Sequence, residues 1–383
     1  MEALAAANAN FSLELFKKIT EITKAKNTGN VFYSPLSISS ALAMVSLGAK
    51  GNTEVQMHEV SSQCTQFSEA IDSFTQGNCI QFEGDVHVGF NKLFAELNKE
   101  GAPYALSLAN RLYGEKTYKF VEKFLADTKT LYLAELEEVD FISNAEAARV
   151  KINKWVEKKT QGNHQSVLVL VNATYFKGDW EKKFNIVKTT EVQFKINKVM
   201  PVQMMHQTAT FSLTYIPDVD CQILELPYEG KDMSMLVMLP KNMEDNATGL
   251  EKQKLTYDKL VEWTRPDMMH TVEVQVGLPR FKLEETYDLE EILVSMGMVD
   301  TFSPQCDFSG MSCDKLFLSK VVHKSFVEVN EKGTVAGAAT AAIVSRNSAM
   351  RPRETFMADH PFLFFIRHNP TQSILFYGRY SSP

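Results

Sequence analysis

Between Glu331 and Pro352 the chain reads EKGTVAGAATAAIVSRNSAMRP, and the residue types there suit one kind of chemistry, the main-chain pairing of an added strand. In a strand alternate side chains face one side, so Thr334, Ala336, Ala338, Thr340, Ala342 and Val344 would share a face. All six are small or β-branched, and such a face can slide between existing strands without overpacking them. Gly333 stands at the start, where a hinge needs free backbone torsions. From Ser345 the segment turns polar and basic, and it stops at Pro352. Alanine is also the best helix former. An Ala-rich surface helix or a flexible connector is therefore the competing reading of the same residues.

Elsewhere the sequence offers little chemistry. There is no G-x-S-x-G elbow, H-E-x-x-H pair, phosphate-binding P-loop or G-x-G-x-x-G turn. The eight histidines do not pair at metal-ligand spacing, so no metal, no cofactor and no catalytic residue is expected. The five cysteines (Cys64, Cys79, Cys221, Cys306 and Cys313) are odd in number and form no C-x-x-C pair, which fits free thiols in a reducing compartment. Three sequons occur, at Asn10, Asn172 and Asn246. Asn172 falls inside a strand-like run, and all three are expected to be chance matches.

The elements that would position the segment follow from period and composition. Of 383 residues 44% are apolar, enough for a sizeable core, and the net charge of -7 argues against a general nucleic-acid binder. Lys17, Lys18, Lys154, Lys158 and Lys159 read as solvated helix faces. The N-terminus lacks a basic start followed by an apolar core, and no apolar run is long enough to span a membrane. Phe11, Leu13, Leu15, Phe16 and Ile19 instead mark an amphipathic helix within 8–25. Helices are also predicted near 36–49, with Ser34-Pro35 as its start, and at 89–99 and 145–160. The last has Val150, Ile152, Trp155 and Val156 as its apolar stripe. Residues 60–86 read as a polar surface loop. Val167 to Val171 is a continuous β-branched run, the mark of a strand buried on both faces. Further strands are predicted at Cys221–Pro227, Met233–Leu239, Val272–Leu278, Ser325–Asn330, His360–Arg367 and Gln372–Tyr380, with helical patches at 256–264 and 287–297. Helices early and strands late give an α+β layout. With no repeat and no Pro- or Gly-rich linker, one domain over 1–383 is expected.

Several longer strings carry a family resemblance. They are Asn30-Val-Phe-Tyr-Ser-Pro-Leu-Ser-Ile38, Gly48-Ala-Lys-Gly-Asn-Thr53, Ala109-Asn-Arg-Leu-Tyr-Gly-Glu115 and Leu170-Val-Asn-Ala-Thr-Tyr-Phe-Lys-Gly178. Leu278-Pro-Arg-Phe281, Val322-His-Lys-Ser-Phe326 and Asp359-His-Pro-Phe-Leu-Phe-Phe-Ile-Arg367 continue the series. In these the chain resembles the serpins, in particular their intracellular, ovalbumin-like clade, and the match runs nearly end to end. The resemblance implies helices packed around three β-sheets, with an exposed reactive-centre loop at about 331–352. It implies inhibition of a serine protease, or a cysteine protease, by a suicide-substrate route. The protease attacks the loop, forms an acyl-enzyme, and is carried off as the cut loop enters the main sheet. It implies a monomer located in the cytoplasm, with the nucleus and the extracellular space as further locations.

The same resemblance assigns roles. Glu331 is the hinge glutamate; Gly333, Thr334, Ala336, Ala338 and Thr340 are the hinge and inserting face. Counting from Glu331 puts the scissile bond at Asn347–Ser348. Asn is unusual there, and a cut one residue earlier, at Arg346–Asn347, would suit a trypsin-like protease. Val335 and Gly337 stand where relatives commonly have Glu and Ala. Ser34, Ser37, Asn172 and His323 form a polar cluster under the sheet opening, with His323 structural. Trp180 marks the place where the loop enters, and Arg280 pairs with Glu331. One departure is larger: between the helix ending near Thr160 and the strand beginning near Val167 only Gln161-Gly-Asn-His-Gln-Ser166 remains. Six residues reach at most ~20–22 Å, where relatives have a long connection across the sheet. Either the helix unwinds to reach, or part of the sheet is uncovered. A non-inhibitory member of the family (a storage, chaperone or binding protein) is the second reading, although such members tend to have bulky or charged hinge residues.

Overall fold

The computed structural model describes residues 2–25, 29–62, 85–156, 168–196, 199–242, 248, 250, 255–265, 267–334 and 354–383. Helix α1 (Glu2–Ala25) buries Phe11, Leu13, Leu15, Phe16 and Ile19, so the stripe read from the sequence is its core face. After the short strand β1 (Val31–Tyr33), α2 (Pro35–Ser46) starts where Ser34-Pro35 predicts. The Ser34 hydroxyl oxygen accepts from the Ser37 N–H, and proline occupies the first turn, where its missing N–H costs nothing. Every residue of α2 is buried.

Then come α3 (Gly51–Ser62), α4 (Val86–Leu97), β2 (Tyr104–Glu115), α5 (Glu122–Tyr132), β3 (Glu135–Val139) and α6 (Ala145–Val156). Among the described residues helices dominate up to Val156 and strands dominate after it, as the α+β layout predicts, although three strands already lie within the first 140 residues. Of the stripe expected on α6, Ile152 is buried and Val150 is not, and the side chains of Trp155 and Val156 lie outside those described. Ala148 and Ile152 face the sheet beside Tyr113, Phe141, Val169 and Val171, while Val150 is 53% exposed. Positions four apart share a helix face and positions two apart do not.

The remaining elements are β4 (Leu168–Asp179), β5 (Thr190–Phe194), β6 (Met200–Ile216), β7 (Cys221–Pro227), β8 (Met233–Pro240), α7 (Tyr257–Trp263), β9 (His270–Pro279) and β10 (Phe281–Asp288). They are followed by α8 (Glu290–Ser295), β11 (Lys320–Asn330), β12 (Gly333–Thr334), β13 (Glu354–Met357), β14 (Phe362–His368) and β15 (Ser373–Tyr380).

Hydrogen bonds gather these strands into two sheets. One has the order β10-β11-β12-β4-β2-β3, and the other β1-β15-β14-β8-β7-β6-β9-β13, with β5 on β6. The long β6 explains why the second is one hydrogen-bonded unit. Residues 204–213 of β6 pair with β9, and 212–216 pair with β7, so this strand passes from one layer to the next. The sheets pack face to face through aromatic side chains. Phe176 of β4 meets Phe376 of β15 at 6.1 Å, and Phe281 of β10 meets Phe364 of β14 at 5.4 Å. Residues 168–172 of β4 are buried on both faces, as the β-branched run predicts.

Among the described residues Cys221, Cys306 and Cys313 are free thiols, and Cys64 and Cys79 lie outside them. The Asn172 side chain is buried, so that sequon is inaccessible. No helix of the described residues is long and apolar enough to cross a membrane.

Candidate functional site

Two central strands of the six-stranded sheet, β4 and β11, run parallel and pair from Val169 with Lys320 to Tyr175 with Phe326. Beyond that point they part, and β12 sits between them. Gly333 and Thr334 pair antiparallel with Asn330 and Val329 on one side and with Asp179 and Gly178 on the other. Gly333 and Thr334, near the start of the segment singled out above, are thus already a strand in the mouth of a slot. Residues 335–353, which include Ala336, Ala338, Thr340, Arg346, Asn347 and Ser348, lie outside the described residues, as does the connector 161–166.

Glycine is required at 333. Its φ is +147°, a region that residues with a Cβ rarely adopt. A Cβ there would stand 2.1 Å from the Gly178 carbonyl oxygen and 2.6 Å from the Asp179 Cα. Both are backbone atoms, so neither can yield as a flexible side chain would.

Trp180 frames the mouth. It is buried, its indole N–H donates to the Asn330 carbonyl at 2.9 Å, and its backbone N–H donates to the Lys332 carbonyl at 2.7 Å. The indole stacks on Tyr228 with centroids 4.6 Å apart. On the other side Glu331, 8% exposed, accepts from the Thr189 hydroxyl at 2.8 Å, and the Phe184 N–H donates to the Glu331 carbonyl at 2.8 Å. The Arg280 guanidinium stands 3.7 Å from the same carboxylate but is 45% exposed. Long and half-solvated, that ion pair contributes less than the Thr189 bond. The sequence pointed to Glu331, Trp180 and Arg280. It gave no sign of Thr189 or Tyr228, which come from distant elements.

Under the slot a polar cluster joins β4, β11 and α2. The Ser34 N–H donates to His323 Nε2 at 3.0 Å. A backbone N–H can only donate, so Nε2 is the unprotonated nitrogen and Nδ1 carries the hydrogen. Nδ1 then donates to the Asn172 carbonyl oxygen. Asn172 in turn donates to the Ser37 hydroxyl and to the Asn110 side chain, and the Ser34 hydroxyl donates to the Leu375 carbonyl at 2.6 Å. The structure therefore brings together Ser34, Ser37, Asn172 and His323, and adds Asn110. That residue lay within one of the recognised strings, where its place in β2 beside Asn172 could have been read. Burial pushes the imidazole down to about 3, so the ring is neutral at physiological pH and holds no acid or base role. Among the described residues no group of three or more His, Cys, Asp or Glu is placed to hold a metal ion. What the arrangement can do is mechanical: two parallel strands are held together at the bottom, wedged apart at the top, and lined by small polar groups.

Comparison with known proteins agrees with this geometry. The family model described as Serpin (serine protease inhibitor) matches residues 6–383. The chain is 50% identical to leukocyte elastase inhibitor of Bos taurus and 50% identical to Serpin B6 of Macaca fascicularis, with 100% of both chains covered in each case. Among solved structures it is similar to uncleaved ovalbumin, at 36% identity and a TM-score of 0.83 over 99% of this chain and 100% of that one. It is also similar to a tumour suppressing serpin, at 34% identity and a TM-score of 0.84 over 100% of both. A family match over almost the whole length, full-length relatives of the intracellular clade and a strand already seated in the slot together place this chain in the serpin family of serine protease inhibitors.

Proposed function

We propose that this serpin traps a serine protease as a suicide substrate, with the bait bond at Asn347–Ser348 or one residue earlier at Arg346–Asn347. The chain is an inhibitor and not an enzyme. The attacking serine of the protease forms an acyl bond to the carbonyl of residue 347 or 346, and the new amine leaves with the C-terminal fragment. The freed strand then enters the slot and draws the acylated protease along. The inhibitor contributes geometry and stored free energy, as in strand-addition switches.

The observation that carries this reading is β12, hydrogen-bonded on both edges between β4 and β11. A strand continued in the register of Gly333 and Thr334 would bring Ala336 opposite Val327 and Phe176, Ala338 opposite Ser325 and Thr174, and Thr340 between His323 and Asn172. The core-facing positions then receive only small side chains, the composition that insertion requires. Glu331, Gly333 and Thr334 act as the hinge. Trp180, Arg280 and the cluster of Ser34, Ser37, Asn172 and His323 hold the slot until the loop is cut.

A cut after Arg346 points to a trypsin-like target with an acidic specificity pocket, a cut after Asn347 to a different one, and a cysteine protease remains within reach of the same loop. The protein works as a single-domain monomer over residues 1–383 in the cytoplasm, with the nucleus and the extracellular space as further locations, and with neither nucleic acid nor membrane as partner. Mass spectrometry of the fragment released by a trapped protease tests the site. A new N-terminus at Ser348 or Asn347 is expected, and a cut outside 345–350 rejects the assignment.

A further inference from the structure

We propose that Tyr175 and Phe326, with Lys282 over the Phe326 ring, form a latch across the slot that sets how fast the loop enters. This rests on the insertion reading above and deepens it. These two residues are the last pair of the parallel run of β4 and β11 before the strands part around β12. Their rings stack with centroids 6.4 Å apart and planes 15° from parallel. Both are half-buried on the outer face of the sheet, opposite the face that holds Ser325 and Val327. The Lys282 ammonium, on β10, lies 4.9 Å from the Phe326 ring centroid.

Neighbouring strands lie about 4.8 Å apart, and a strand entering between β4 and β11 doubles that separation. A stack of this geometry cannot survive the change, so the rings must part before the sheet opens further. They are the paired residues of β4 and β11 nearest to β12, so theirs is the first cross-strand pair on the outer face that insertion separates. The cation over Phe326 holds that ring to β10 and β11, so the contact divides on the Tyr175 side.

The test uses the intact full-length protein and a synthetic peptide of residues 334–347 that fills the slot in place of the loop. Uptake is followed by the rise in heat stability of the complex. Tyr175→Ala and Phe326→Ala are each expected to speed uptake about two- to tenfold, the range for loss of one aromatic pair. The double variant is expected to be no faster than either single one, because both remove the same contact. Tyr175→Phe, which keeps the ring, should match wild type, and Phe326→Leu, which keeps apolar bulk without the stack, should match Phe326→Ala. Uptake rates unchanged in the Phe326→Leu and alanine variants, or effects of the two sites that simply add, overturn the latch. If wild type takes up no peptide at all and loop-cleaved protein gains no heat stability, the insertion reading itself fails and the latch falls with it.

Discussion

His323 and Asn172 stand opposite each other in the parallel register of β11 and β4, and their side chains join across the line along which an inserted strand would part them. Complete burial pushes the ring's pKa down to about 3, so it is neutral, and its unprotonated Nε2 accepts from the Ser34 N–H. An exposed histidine titrates near 6.5. The unfolded chain therefore takes up a proton that the folded chain refuses. This contribution to stability is complete above about pH 6.5 and is lost as pH falls from there towards about 3, by about 1.4 kcal/mol per pH unit. Denaturant midpoints of wild type and His323→Gln between about pH 7 and 5 check this. The variant should be less stable near neutrality and show the flatter dependence; equal slopes would contradict the assignment.

Gly333→Ala is expected to expel β12 from the slot. The Cβ would meet backbone atoms of Gly178 and Asp179, and the positive φ adds a cost of order 1–3 kcal/mol. Amide hydrogen exchange at Thr334, protected in wild type by the ladder to Gly178 and Val329, should become fast. The ratio of cleaved to trapped inhibitor should rise with it.

At the mouth of the slot the part-buried hydroxyl contact is expected to matter more than the ion pair. Thr189→Val leaves the Glu331 carboxylate short of a donor and should cost about 1–3 kcal/mol. Arg280→Gln should cost under about 1 kcal/mol, because the guanidinium is half-solvated and 3.7 Å away. Thermal unfolding of the two variants side by side reads the order, and Arg280→Gln as the more damaging change would refute it.

Much of this arrangement was readable in the sequence, because burial on both faces leaves a plain signature. Val167 to Val171 could be little else than a central strand, and Ser34-Pro35 could be little else than a helix start. Local period failed where one element serves two neighbours. The long β6 switches partners near Ser212, its burial pattern follows no single alternation, and no strand was assigned to it. It failed again at α6, where the packed face is chosen by Tyr113 and Phe141 from other elements, so Ala148 was passed over and Val150 favoured. At the site, residues within continuous strings (Glu331, Gly333, His323) were found. Thr189 and Tyr228, which reach the mouth from separate segments, were not. Their roles depend on tertiary proximity alone.

The central claim is that cleavage of the bait loop lets it complete the strand begun at Gly333 and Thr334. The most direct measurement is incubation with a panel of serine proteases, followed by denaturing electrophoresis and a thermal melt of the cleaved inhibitor. The account predicts a covalent adduct that survives denaturation with at least one protease, and a cleaved form markedly more heat-stable than the intact one. Clean cleavage between Ser345 and Met350 with no adduct and no gain in heat stability would contradict it.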